Sequence, residues 1–431
     1  MRIVTSILLF SFGFLGNIIA QVPTPAPKQT KNILLMNGIA HLGDGKVIEN
    51  SAIAFENGKF TIVADATVIR IDASKFDTVI NISGKHVYPG FIAPNSRLGL
   101  VEIDAVKATR DQDEIGEMNP NIRSIIAYNT DSNITPTVRF NGILLAQITP
   151  QGGVISGSSS IVQLDAWNWE DALIKEDDGI HLNWPKMFNQ TGWWAEPGEF
   201  KKNEKYKEFT QKIDAFFTEA LAYSKTEPQE KNLKYEAMKK VFSGQRTLYI
   251  HSDYVKEMQE AINFVRKFNL KKVTIVGGYD SWMLTDQLKE NNVSVMLRRV
   301  HDLPVRPEDD VNLPYKMPKI LVDAGVMICL ENSGDMEAMG TRNLPFYAGT
   351  AATYGLSKEE ALKLVTLNTA TILGIDKNYG SIQTGKSATF FVSDGDALNM
   401  TTNNVILAYI DGRMIELTNH QLQLYEKFKS K

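Results

Sequence analysis

Among 431 residues there is a single cysteine, and there are only six histidines. One cysteine excludes a disulfide framework and any cysteine-rich zinc site. A bound metal would therefore depend on histidine and carboxylate, and six histidines are a small stock. Neither sign of charge is in excess: Lys+Arg number 46 against 50 Asp+Glu, for a net charge of -4. That balance provides no basic face of the kind nucleic acid requires. Hydrophobic residues at 43% and charged residues at 22% are ordinary globular proportions, which exclude a disordered, collagen-like or polytopic membrane chain. Single cores rarely exceed about 250–300 residues, so this length calls for two folding units or a large barrel with an appendage.

What is present begins with MRIVTSILLFSFGFLGNIIAQ. Arg2 precedes an apolar run from Ile3 to Ile19, followed by Ala20 and a polar Gln21. This is the layout of a secretory signal peptide cleaved after Ala20. A membrane anchor is the plainer alternative, but Thr5, Ser6, Ser11 and Asn17 interrupt the run, and a Pro-rich linker (residues 21–31) follows it. The expectation is an exported protein, periplasmic or extracellular, with no membrane span in its mature form. Loss of Arg2 with the signal leaves the mature chain one charge more negative.

Residues 32–88 read as short strands between turns at Asn37-Gly38, Gly43-Asp44-Gly45 and Asn57-Gly58, the signature of consecutive hairpins. The same texture returns after residue 378 and runs to about 417, with a turn at Asp411-Gly412. Between these ends strands alternate with helices. Strands are expected at 246–251, 272–278, 293–297 and 326–330, with a closing helix over 357–374 whose N-cap is Ser357 and whose capping box is completed by Glu360. Repeated strand–helix units imply parallel strands and a (β/α) barrel. The segment from about 167 to 244 interrupts the alternation. It holds five of the six tryptophans and two expected helices (201–224 and 229–243), and reads as an insertion over the barrel mouth. Its tryptophans are expected to pack the insertion onto the barrel. The Gly-rich run QGGVISGSSS (151–160) lacks a P-loop lysine and a G-x-S-x-G pattern, and reads as a tight turn at the mouth.

Three stretches carry a resemblance. HVYPGFIAPNSRLGL (86–100) resembles the first barrel strand of the amidohydrolase superfamily, whose usual form is PG, two hydrophobic residues, then D-x-H-x-H. LYIHSDYVKEMQEAI (248–262) is similar to the fifth strand with its histidine, and 354–398 to the closing segment, where Gly-Leu-Ser-x-x-Glu-Ala-Leu leads into T-x-N-x-A. Together they identify the chain as similar to the exported, imidazolonepropionase-like branch. The resemblance implies a distorted (β/α)8 barrel (residues 89–377) and a composite β-sandwich domain built from residues 32–88 and 378–417, followed by a tail to residue 431. It also implies metal-dependent hydrolysis of C–N bonds in cyclic or linear amides, dipeptides included.

Such a reaction needs a divalent ion that acidifies water and polarises the carbonyl. An H-x-H pair serves because side chains two apart on a strand share a face. Here that pair falls on Asn95 and Arg97, behind Ala93 in place of the aspartate. Arginine has no lone pair to give and its cation repels a metal. The sixth-strand histidine is replaced by Gly277-Gly278, and the fourth-strand bridging ligand by the neighbourhood of Gln147 and Thr149. The eighth-strand aspartate aligns with Ser333, with Asp335 or Glu331 as substitutes. His251 alone matches a ligand position. His41 and His86 fall to the β domain, His181 to the insertion, His301 to a loop and His420 to the tail. The plain reading of His251 is a hydrogen-bonded structural residue. Arg97 could neutralise Asp335 or Glu331, or capture a carboxylate.

Three functions follow. The favoured one is an exported member with no cofactor that serves as a binding partner, either of an active paralogue or of itself in a homo-oligomer, or as a receptor for a small-molecule ligand. The others are a hydrolase using an altered site, with zinc as the metal, and a solute-binding protein in which Arg97 holds a carboxylate.

Overall fold

The computed structural model describes residues 24–431 apart from 194, 228 and 335. The expected signal peptide and Asp335 lie outside the described residues. No helix among the described residues is long and apolar enough to cross a membrane.

Both chain ends build one sheet. Strands β1 (Ile33–His41), β2 (Val47–Glu56), β3 (Lys59–Asp65), β4 (Thr78–Asn81) and β5 (His86–Pro89) come from the front. The sheet order β18-β17-β16-β5-β1-β2-β3 adds the three last strands of the chain: β16 (Phe390–Ser393), β17 (Val405–Ile410) and β18 (Arg413–Met414). Phe55 on β2 packs at 5.2 Å against Phe390 on β16 and at 5.0 Å against Tyr409 on β17. Two strands separate β2 from β16 and three separate it from β17, so the sheet rolls over onto itself and encloses its own aromatic core.

The second sheet is the barrel. Its order is β15-β14-β13-β12-β9-β8-β7-β6, made of β6 (Phe91–Ser96), β7 (Ile143–Ile148), β8 (Ile155–Gln163), β9 (Leu173–Asn183), β12 (Thr247–Ser252), β13 (Val273–Gly277), β14 (Val293–Leu297) and β15 (Ile328–Leu330). The mixed α/β class and nearly closed eight-stranded barrel agree with the expectation. Two corrections apply. β8 runs antiparallel to both neighbours, so the Gly-rich run is largely a barrel strand, buried along its whole length, because its serines find partners inside. The segment read as insertion also contains a barrel strand, β9. The inserted part is the hairpin of β10 (Phe188–Trp193) and β11 (Glu196–Lys202) plus the helices Tyr206–Ser224 and Leu233–Phe242. Residues 201 and 202, expected as helix, belong to β11.

Closure of the barrel is achieved by the closing segment. The capping box of Ser357 and Glu360 forms, but the expected single helix is split into Lys358–Lys363 and Leu367–Leu373. At the break the Leu364 carbonyl accepts from the Leu330 amide of β15, and the Val365 carbonyl from the Ile92 amide of β6, each at 3.0 Å. Two carbonyls leave the helix to satisfy two strand edges that would otherwise face each other unpaired.

Candidate active site

The C-terminal ends of the barrel strands surround a cavity of about 480 Å³, lined by Asn95, Arg97, His251, Ser333, Asp253 and Arg298 among others. Four residues singled out from sequence thus meet in one place, within the size range of ligand pockets.

Asn95, the second-last residue of β6, has φ at 49°, a left-handed conformation that asparagine tolerates better than most side chains. Its amide donates to Glu331 at 3.1 Å, while its backbone N–H donates to Gln147 at 2.9 Å. Ser333 donates to the other oxygen of Glu331 at 2.5 Å. Burial pushes the Glu331 carboxyl up to about 8 against these two hydrogen bonds. At neutral pH it therefore carries a proton in the folded chain.

Arg97 does not pair with Glu331. Its guanidinium Nε donates to Glu337 at 2.5 Å and its backbone N–H donates to the same carboxylate at 3.0 Å. Its Nη1 donates to Gln112 at 3.0 Å and lies 3.6 Å from Asp104. Burial raises the Glu337 carboxyl to about 7, and the adjacent Arg97 opposes the rise. Glu337 opens a short helix, Glu337–Gly340, and no sequence signal marked it.

Behind the pocket lies a polar network that sequence reading missed. Asp178 on β9 accepts from Tyr249 at 2.6 Å, from Ser159 at 2.7 Å and from Gln147 at 3.0 Å. Burial raises the Asp178 carboxyl, while these three donors oppose it. His181 Nε2 meets Ser159 Oγ at 2.9 Å, and His181 Nδ1 meets His251 Nε2 at 2.9 Å. If Ser159 gives its one proton to Asp178, His181 must donate to Ser159, and His251 must donate from Nε2 to His181. His251 is then left with a lone pair on Nδ1 only. Burial holds His251 neutral down to about 4, and holds His181 well below the ordinary histidine range, with His251 adding to the effect. Placing His181 in the insertion is therefore corrected: it lies in the barrel, stacked on Tyr249 at 4.7 Å. A signal existed in the sequence, since GIHLN (179–183) repeats the strand-then-histidine layout of LYIHS (248–252).

The donors present do not fit a divalent metal. Arginine occupies one position of the H-x-H pair and is bound to Glu337. Asn95 turns its amide N–H₂ toward Glu331, both oxygens of Glu331 already accept from Asn95 and Ser333, and the Nε2 of His251 faces another imidazole. Among the described residues no group of three or more His, Cys, Asp and Glu side chains is placed to hold an ion. Three buried polar atoms around the pocket, Asn95 Oδ1, Ser252 Oγ and Asp253 Oδ1, have no hydrogen-bond partner.

Comparison with known proteins agrees with the resemblance. The model of the Amidohydrolase family matches residues 309–415. The imidazolonepropionase of Flavobacterium psychrophilum is 23% identical over 255 residues, 55% of this chain and 60% of that protein. That of Syntrophobacter fumaroxidans is 34% identical over 82 residues, 19% of each. The chain thus spans less than two thirds of these curated relatives. Among solved structures, an amidohydrolase from Thermotoga maritima superposes with a TM-score of 0.76 at 21% identity, covering 89% of this chain and 99% of that one. A Xaa-Pro dipeptidase with bound methionine gives a TM-score of 0.55 at 14% identity, covering 89% of this chain and all of the other (100%).

Proposed function

From the premise that the chain belongs to the amidohydrolase superfamily and is imidazolonepropionase-like, we propose that it is an exported, non-catalytic member whose barrel pocket binds a polar small molecule or supports a partner. The observation that carries this reading is the ion pair of Arg97 with Glu337. A guanidinium stands at a metal-ligand position and is satisfied there by protein groups, so the pocket holds an internal cation of its own. The family chemistry needs a metal with an open coordination position, and the donors described above supply none.

Binding is supported by the 480 Å³ cavity itself, whose lining carries the polar and charged side chains of Asn95, Asp253, Arg298 and Ser333, a size and lining that suit a polar ligand. Export rests on the signal-like residues 1–20. The partner would be an active relative with D-x-H-x-H intact, or a second copy of this chain. Carboxylate capture by Arg97 is disfavoured, because that guanidinium is already engaged by Glu337 and Gln112.

The test is the metal content of the purified protein by elemental mass spectrometry, with hydrolysis measured on a panel of cyclic amides and dipeptides. We expect zinc, manganese and iron far below one equivalent, because the donors are missing, and no hydrolysis that chelation abolishes. Stoichiometric metal together with turnover would establish an active hydrolase with an altered site instead.

A further inference from the structure

The opposite end of the barrel holds a larger cavity, about 580 Å³, that has no part in the site above. It lies at the N-terminal ends of β12, β13, β14 and β15, beneath the helix Leu367–Leu373. Four lysines line it, Lys175, Lys271, Lys272 and Lys289, and no acidic residue does. In a chain of net charge -4, a cavity wall carrying one sign alone is not the average composition.

Three of the four lysines, Lys175, Lys271 and Lys272, form no ion pair among the described residues, and Lys289 alone meets a carboxylate. Lys175 spends its ammonium on the Leu373 carbonyl at 2.6 Å, and Lys271 on the Asn269 side chain at 2.6 Å, both neutral oxygens. Lys289 reaches Asp286 at 3.3 Å on the exposed surface. The Lys272 ammonium has no hydrogen-bonding or ionic partner among the described residues, while its carbonyl accepts from the Leu248 amide at 2.9 Å. Gly374, at φ +67°, allows the Lys175 ammonium to lie close over the chain: a Cβ there would sit 2.8 Å from Nζ. Burial lowers the Lys175 pKa and the charge of Lys272 adds to it, while Asp178 and Asp376 oppose. The wall between the lysines mixes apolar side chains, among them Val273, Leu288 and Ile372, with hydroxyls: Thr274 and Ser294 pair at 2.9 Å, and Thr247 and Thr371 also line the cavity.

We propose that this cavity is a binding site for a small multivalent oxyanion of the phosphate class, free or as the head of a phosphorylated molecule. Lysines act as point charges toward phosphate, and hydroxyls supply the short donors between them. A solvated lysine rim, the plain alternative, requires neither a cavity of ligand size nor the exclusion of carboxylates from it. The assignment is independent of whether the other pocket is catalytic.

Pyrophosphate is the probe, titrated calorimetrically into the full mature chain at constant ionic strength. One saturable site is expected. Lys272→Ala and Lys271→Ala, both on exposed side chains that hold no element together, should each weaken binding by about tenfold or more, the loss of one charge-assisted contact. Raising salt should weaken native binding steeply. Arg298→Ala, in the other pocket, should leave it unchanged. Inorganic phosphate binding as tightly as pyrophosphate would restrict the ligand to a single phosphoryl group within the same class. Absence of saturable binding, or equal affinity in the Lys271→Ala, Lys272→Ala double variant, would overturn the proposal.

Discussion

Replacing Arg97 with methionine removes the guanidinium and keeps much of the side-chain volume. Glu337 then remains with its backbone contact to residue 97 and no counter-charge. The side chains are 15% and 4% exposed, so the pair is screened little by water. Breaking a buried pair by removing one partner costs roughly 3–5 kcal/mol. Glu337 already titrates at about 7 because of burial, and without Arg97 it will take up a proton, so the lower end, ~3 kcal/mol, is the expected cost at neutral pH. Unfolding entropy of about 2.1 cal/mol/K per residue, over roughly 400 residues, converts that into a fall in Tm of about 3–4 °C. A double-mutant cycle with Glu337→Gln, read by urea unfolding, isolates the pair. The Arg97→Met, Glu337→Gln variant should recover most of the loss, because it leaves no charge buried alone. A coupling energy under ~0.5 kcal/mol would refute the reasoning. The guanidinium would then be solvated and free to meet a ligand, and carboxylate capture would become the better account of the pocket.

The pH dependence of stability should carry the mark of Glu331. Its carboxyl is raised by burial to about 8 in the fold from 4.5, so the folded state binds the proton more tightly. The stabilisation is fully present below about 4.5 and is lost as pH rises through about 8, at about 1.4 kcal/mol per pH unit in that window. His251, held neutral down to about 4, acts in the opposite sense, its contribution being lost as pH falls below the ordinary histidine range. The difference between native protein and Glu331→Gln separates them: it should move against the native chain between about pH 4.5 and 8, and a gap that is flat with pH would sink the assignment of a protonated Glu331. Tyr249→Phe should cost ~1.5–3 kcal/mol by deleting a donor to a buried carboxylate; a cost under ~0.5 kcal/mol would mean that Asp178 is neutral and the direction of the His181–His251 hydrogen bond must be reassigned.

Local signals were enough for much of the barrel. Strand β14 falls on the residues expected for it, 293–297, and the capping box at Ser357 forms as its spacing requires, because periodicity and capping are properties of neighbouring residues. That Asn95 and Arg97 offer no imidazole lone pair was also legible, since what a side chain can coordinate is fixed by its atoms. What Arg97 meets in the fold was not. Glu337 is 240 residues from Arg97 along the chain, and nothing in either neighbourhood names the other. Ser159 lies only 19 residues from Asp178 and 22 from His181, yet their pairing shows only once the strands are laid side by side. A serine-rich glycine run and an acidic pair before a histidine look like turn and surface until an antiparallel strand carries them into the barrel, where each polar atom must find a partner because water cannot reach it. By itself, the sequence determined the fold class, the strand-by-strand order of the barrel's second half, and which chemistry Asn95 and Arg97 cannot perform. Only the tertiary structure decided which charges neutralise one another, because pairing across the barrel depends on distance and burial that no local pattern encodes.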